Sequence, residues 1–208
     1  MGKAIIWDLD GTLLDSYHVI VESLYLVFKE YGIPMSREEI HQYAIASSSN
    51  ALIAEVSEKR GLSPKDITSR YSQISGGKYL EIITMDHTYE TLNALAAKNV
   101  QHFVYTHRGK TTIPTLKNLG LEAYFTEILT SQSGFARKPD PDAVIYLMKK
   151  YNLEPQSTYY AGDRNLDMEC AKNAGIPGIL YLPEKSKAVP AGAQTYIVKD
   201  LLDIVSIV

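Results

Sequence analysis

The spacing of apolar positions changes character twice along the chain. Residues 3–7 form a short unbroken apolar run that ends on Asp8, the pattern of a parallel strand buried on both faces. A turn follows over 11–15 (GTLLD). From there the period becomes helical. Val19, Ile20, Leu24, Val27, Phe28 and Tyr31 predict a helix over 17–31, stopped by Gly32 and Pro34. Ser36 and Glu39 have the capping-box spacing, so a second helix starts at Ser36. Two more helical stretches, about 50–60 and 64–80, are separated by Gly61 and Pro64. Residues 16–81 therefore read as a helical insert.

After residue 85 strands and helices alternate. The expected helices are 88–98, 110–118, 140–150, 165–174 and 199–206. The expected strands are 101–106, 127–130, 157–161, 177–182 and 195–197. Alternation of this kind argues for a parallel sheet with helices on both faces, and strand 3–7 must join it. The fold expected is thus α/β, a Rossmann-like core of residues 1–15 and 82–208 interrupted by an α-helical cap over 16–81. In open α/β sheets ligands bind beyond the carboxyl ends of the strands. Three strands end in polar clusters, Asp8–Thr12, Thr106–Gly109 and Gly162–Asp167, and a fourth cluster, Arg137–Asp140, precedes a helix. All four are expected on one edge.

Composition narrows the function classes. A formal charge of -3 gives no electrostatic footprint for nucleic acid. The single cysteine, Cys170, excludes an internal disulfide and a Cys-rich zinc site, and it points to a reducing compartment. No apolar run approaches the ~20 residues of a membrane helix, and the apolar start is too short for a signal peptide. The expectation is a soluble cytoplasmic protein with neither nucleic-acid nor membrane partners. Tyrosine is abundant, 15 against 4 phenylalanines, which suits half-buried rings with wet hydroxyls.

The polar clusters suggest a chemistry. Asp8 and Asp10, one residue apart at a strand end, can face one pocket, and Asp163 and Asp167 add carboxylates. Oxygen ligands with no His or Cys cluster suit Mg2+, which usually takes one or two carboxylates and shares a substrate phosphate. Lys138, the Thr106 hydroxyl and the amides of Leu9, Asp10 and His107 can surround a phosphoryl group. Gly11 allows the bend after the carboxylates. An aspartate nucleophile forming an aspartyl-phosphate, with a second carboxylate as acid and base, completes a hydrolytic cycle.

Residues 4–15, AIIWDLDGTLLD, resemble the first motif of the haloacid dehalogenase-like hydrolase superfamily. Thr106 after FVY resembles the second motif, Lys138 in RKPDP the third, and GDRNLD at 162–167 the fourth, in family order across almost the whole chain. The helical insert is similar to the small cap of members resembling phosphoglycolate phosphatase and beta-phosphoglucomutase. The resemblance implies a Mg2+-dependent phosphatase acting on a small-molecule phosphate ester. It implies Asp8 as nucleophile and metal ligand, and Asp10 as acid/base with its backbone carbonyl on the metal. Gly11, Thr12, Thr106, His107 and Lys138 would bind substrate. Asp163 would be a metal ligand, and Asp167 either an alternate ligand or a residue just behind one. The carboxylate at position 10 favours phosphate esters over dehalogenation. A phosphomutase and a non-catalytic phosphate-ligand sensor remain as alternatives on the same parts. His107 and Arg108 read equally as a solvated loop pair or as substrate contacts. Ser47–Asn50 reads as a helix cap cluster or as the cap loop that meets the leaving group.

Overall fold

The structure is a computed structural model describing residues 2–184, 186 and 188–208. Strand β1 (Ala4–Trp7) opens the chain, and after a turn β2 (Leu14–Asp15) leads to α1 (Tyr17–Glu30), α2 (Arg37–Ala46), α3 (Ser49–Arg60) and α4 (Pro64–Gly77). Then come β3 (Ile83–Thr84), α5 (Thr88–Ala97), β4 (Gln101–Tyr105), α6 (Thr112–Asn118), β5 (Glu127–Leu129) and α7 (Asp142–Tyr151). The chain closes with β6 (Thr158–Gly162), α8 (Asn165–Asn173), β7 (Gly178–Tyr181), β8 (Tyr196–Val198) and α9 (Ile204–Ile207).

The chain divides into two compact units, one comprising the segment up to Asp15 together with Thr84–Val208, the other Ser16–Ile83. In the helical unit, Leu24, Val27 and Phe28 of α1 share a core with Ile40 of α2, Leu52, Ile53 and Val56 of α3, and Ile67 of α4. Its helix starts are chemically marked. Ser36 and Glu39 exchange the two hydrogen bonds of a capping box, and Ser48 and Ser63 accept from the first-turn amides of α3 and α4.

The larger unit is built on a six-stranded parallel sheet in the order β5-β4-β1-β6-β7-β8. Counted in chain order these strands lie third-second-first-fourth-fifth-sixth, the doubly wound arrangement. The direction of winding reverses at β1, so the crevice beyond the carboxyl ends of β1, β4 and β6 is the ligand position such a sheet creates. All four residues of β1 are fully buried, as a central parallel strand requires. Ala4, Ile6, Phe103, Tyr105, Tyr160 and Leu180 pack with Val144 and Leu147 of α7 and Met168 and Ala171 of α8. The alternate residues Ile5, Trp7, His102, Val104 and Ile179 are buried as well, so both faces are covered.

Three expectations differ from what is observed. The segment 11–15 is not wholly a turn, because Leu14–Asp15 pairs with Ile83–Thr84 in a two-stranded sheet. The helix expected over 64–80 stops at Gly77 and gives way to a 3-10 turn, Tyr79–Glu81. The helix expected over 199–206 is a 3-10 turn, Leu201–Asp203, followed by the short α9, because the Asp200 carboxylate caps Leu202 N–H and starts a tighter turn. Strands of two residues carry no periodicity to read, and a 3-10 turn satisfies the same apolar spacing as a helical one.

One buried pair couples the fold to pH. The single tryptophan, Trp7, donates its indole N–H to His102 Nδ1 at 3.1 Å and stacks on that ring. Burial pushes His102 down to about 4. Below pH 6.5 the unfolded chain takes up a proton there that the folded chain refuses. Stability should therefore decline by up to ~1.4 kcal/mol per pH unit from this site until about pH 4, and then level off. Urea unfolding followed by Trp7 fluorescence at pH 7 and pH 5 checks this. The loss on acidification should be smaller in His102→Gln, and an equal loss in both proteins would remove His102 as its source.

Candidate active site

Asp8 is the first residue beyond β1. Its amide donates to Ala161 O at 2.8 Å, which continues the parallel ladder one step and holds Asp8 at the mouth of the crevice. Gly11 follows with φ 81, a left-handed conformation that lets the chain turn back immediately after Asp10. Gly162 serves a different need. A Cβ there would lie 2.5 Å from the Asp167 side chain, so only glycine lets the first turn of α8 lie against the end of β6. That close approach brings Asp167 into the site.

Lys138 is the centre of the arrangement. Its ammonium is fully buried and donates at 2.7 Å to Asp8 Oδ1 and at 2.7 Å to Asp167 Oδ1. Burial alone would push the lysine down, but Asp167 and Asp8 outweigh it and hold it above its usual value, so it stays charged. The rings of Tyr105 and Tyr160 flank the ammonium with centroids 5.2 and 5.3 Å away, adding cation–π contacts. Their hydroxyls are used too. Tyr105 donates to Ala136 O at 2.7 Å, and Tyr160 donates to Tyr105 O at 2.9 Å, tying the lysine-bearing loop to the strand ends. Two of the many tyrosines thus build the site wall.

The loop after β4 supplies further holds. The Thr106 hydroxyl accepts from Arg108 N–H at 3.1 Å, and Thr106 itself is buried. His107 Nε2 accepts the Lys138 backbone N–H at 2.8 Å. Burial, reinforced by Lys138, Arg137 and Arg164, pushes His107 down to about 2, so the ring is neutral with its proton on Nδ1. The His107 side chain therefore positions the Lys138 loop. Arg108 forks onto Asp10, with Nη2 at 2.6 Å and Nε at 3.0 Å from Oδ1, and reaches Thr111 Oγ1 at 3.0 Å with Nη1. Of the two readings of Arg108, the geometry shows a residue that fixes the carboxylate of Asp10.

Among the described residues, Asp8, Asp163 and Asp167 are all buried and offer carboxylate oxygens within 4.8 Å of one another. Thr12 Oγ1 lies 3.5 Å from Asp163 Oδ1. The Asp8 Oδ2 oxygen is buried and makes no hydrogen bond. A buried, converging all-oxygen set with such an acceptor fits a hard divalent cation. Asp10, expected to offer the metal its backbone carbonyl, has its carboxylate taken up by Arg108, and both Asp167 oxygens accept hydrogen bonds, from Lys138 Nζ and from Arg164 N–H at 3.2 Å. Arg164 is a residue that sequence reasoning passed over. Its guanidinium lies 3.8 Å from Asp8 Oδ2, 3.9 Å from Asp163 Oδ1 and 4.0 Å from Asp167 Oδ2. The signal was a cation set between two acids inside one motif.

A family model described as haloacid dehalogenase-like hydrolase matches residues 5–181. The chain belongs to that family and is a hydrolase of the haloacid dehalogenase-like class. It is 24% identical over 210 residues to pyrophosphatase PpaX of Oceanobacillus iheyensis, covering 99% of this chain and 96% of that protein. It is 29% identical over 192 residues to a phosphoglycolate phosphatase of Haemophilus influenzae, covering 86% of each. The crystal structure of a predicted phosphoglycolate phosphatase from Haemophilus somnus 129PT superposes with a TM-score of 0.83 at 25% identity, over 99% of this chain and 97% of that one. No helix among the described residues is long and apolar enough to cross a membrane.

Proposed function

We propose that this chain is a Mg2+-dependent phosphatase that hydrolyses a small phosphorylated metabolite, of the phosphoglycolate or sugar phosphate type, through an aspartyl-phosphate on Asp8. The observation that carries the reading is the buried Asp8–Lys138–Asp167 arrangement beside a third carboxylate. Burying two acids on one lysine beside a third carboxylate carries a desolvation cost that hydrophobic packing would not, which supports a functional reading of the cluster. The relatives named for phosphoglycolate and pyrophosphate hydrolysis support the phosphate chemistry.

In this reading the Asp8 carboxylate attacks phosphorus and forms an acyl-phosphate bond as the phosphorus–oxygen ester bond breaks. Asp10 gives its proton to the leaving oxygen. It then takes a proton from the water that attacks phosphorus, which releases inorganic phosphate and frees Asp8. Lys138 donates to the Asp8 carboxylate and faces the phosphoryl oxygens, joined by the Thr106 hydroxyl and the turn amides. Arg108 holds the Asp10 carboxylate in one orientation, so that proton transfer needs no search of rotamers. Asp8 and Asp163, with the Asp10 backbone carbonyl, would hold the metal, while Asp167 orients Lys138. When bound, the ion supplies neutralising charge to the phosphoryl oxygens. The Ser16–Ile83 helical unit is read as the cap that selects the leaving group.

The test is phosphate release from a panel of phosphomonoesters and pyrophosphate, with Mg2+ and with EDTA. Mg2+-dependent release, abolished by EDTA and restored by excess Mg2+, is expected. Isomerisation of glucose 1-phosphate without phosphate release would replace this reading with a mutase. Tight ligand binding with no turnover of any ester would replace it with a sensor.

A further inference from the structure

We propose that Arg137 receives a second anionic group on the substrate, so that the favoured esters carry a carboxylate or a further phosphoryl group beside the phosphate that is removed. The inference rests on the phosphatase reading above and narrows its substrate class. Arg137 immediately precedes Lys138, and the chain around it is pinned. Ala136 O accepts the Tyr105 hydroxyl at 2.7 Å, Lys138 N–H donates to His107 Nε2 at 2.8 Å, and Arg137 O accepts Asp140 N–H at 3.0 Å. A guanidinium carried on so fixed a stretch starts near its working position, which lowers the cost of ordering it on a ligand.

The other cations of the site have acids. Lys138 has Asp8 and Asp167, Arg108 has Asp10, and Arg164 lies 3.8–4.0 Å from three carboxylates. Arg137 differs, because among the described residues no side-chain hydrogen bond or ion pair holds it. Its surroundings work against its charge. Partial burial pushes the guanidinium below its usual value, Arg164 pushes it further, and only Tyr105 opposes them. The residue is still open to solvent, so a ligand can reach it. Its charge also depresses His107, which places the head group among the site residues. The His107 ring carries a buried Nδ1–H with no hydrogen-bond partner, and Lys138, Arg137 and Arg164 all bear on it without an acid to offset them. A positive region with a spare cation favours an oxyanion. The phosphate that is removed already has Lys138, Thr106 and the turn amides in the proposed mechanism, so the anion left for Arg137 is a second one. A guanidinium forks onto a carboxylate or a phosphate through two parallel bonds, whereas a sugar hydroxyl would leave its charge unmatched.

The experiment measures kcat/KM with Mg2+ for two matched pairs of substrates, phosphoglycolate against 2-hydroxyethyl phosphate and pyrophosphate against methyl phosphate. The proteins are the wild type, Arg137→Gln, Arg137→Lys and Arg137→Glu. The readout is the change in each anionic-to-neutral ratio on substitution, which cancels the intrinsic difference between leaving groups. In at least one pair Arg137→Gln should lower the ratio about tenfold, mainly through KM, Arg137→Lys should keep most of it, and Arg137→Glu should lower it further. A fall in the first pair assigns a carboxylate, and a fall in the second a further phosphoryl group. Ratios unchanged in both pairs, in an Arg137→Gln protein that melts like the wild type, overturn the proposal. Should that variant fail to fold, Arg137→Met decides by the same ratios. Absence of phosphate release from every ester removes the phosphatase reading and this inference together. Release without the Arg137 effect removes only this inference.

Discussion

Asp8→Asn is expected to lower phosphate release by ~10⁴-fold or more while leaving the fold intact, because the amide cannot attack phosphorus and no neighbouring group replaces it. The fold should tolerate the change for a local reason. Asp8 is one of three clustered acids, and Lys138 retains Asp167 as a partner at 2.7 Å when the charge at position 8 is lost. The amide oxygen can still accept from the ammonium, and the backbone bond from Asp8 N–H to Ala161 O is untouched. The check is single-turnover and steady-state phosphate release beside thermal melting of both proteins. An Asp8→Asn protein with wild-type turnover would end the nucleophile assignment. Loss of turnover together with loss of the cooperative melt would mean that Asp8 acts chiefly in folding.

Lys138→Met should do the reverse to stability. It leaves Asp8 and Asp167 buried with their principal cation gone, and breaking such a pair by removing one partner costs ~3–5 kcal/mol. For a chain of this size that corresponds to a melting point lower by about 6–20 °C. Turnover should vanish as well, since in the proposed mechanism the same ammonium faces the phosphoryl group. Adding Asp167→Asn to Lys138→Met should recover part of the lost stability, because it removes one of the two stranded charges. Strict additivity of the two substitutions in thermal or urea unfolding would show that Lys138 and Asp167 do not act as a pair.

Those two residues show where local pattern suffices and where it stops. Asp8 ends an apolar strand three residues before a turn glycine, so its place at a crevice could be read from a few neighbours. Lys138 was readable because a short motif places it before a helix. That the two meet at 2.7 Å across 130 positions of chain depends on β1, β4 and β6 being parallel and adjacent, which brings their carboxyl ends to one edge. Alternating strand and helix periods announce such a sheet, since each element needs only its own apolar face. The two-residue strands and the 3-10 turn at 201–203 were not readable, because elements that short have no period.

The chain order of residue types alone therefore determined the α/β class, the helical insert, the family and the four polar clusters. Each of these is written in local spacing or in short runs of chemistry. Only the tertiary structure decided who holds whom. It gave Asp10 to Arg108, the Lys138 backbone to His107 and the Lys138 ammonium to two acids and two tyrosine rings, and it set Arg164 before three carboxylates. The physical reason is that partner choice among buried charges depends on rotamer, distance and dielectric at the assembled site. A side chain carries its charge in the sequence, but the field it feels exists only once the strands are side by side.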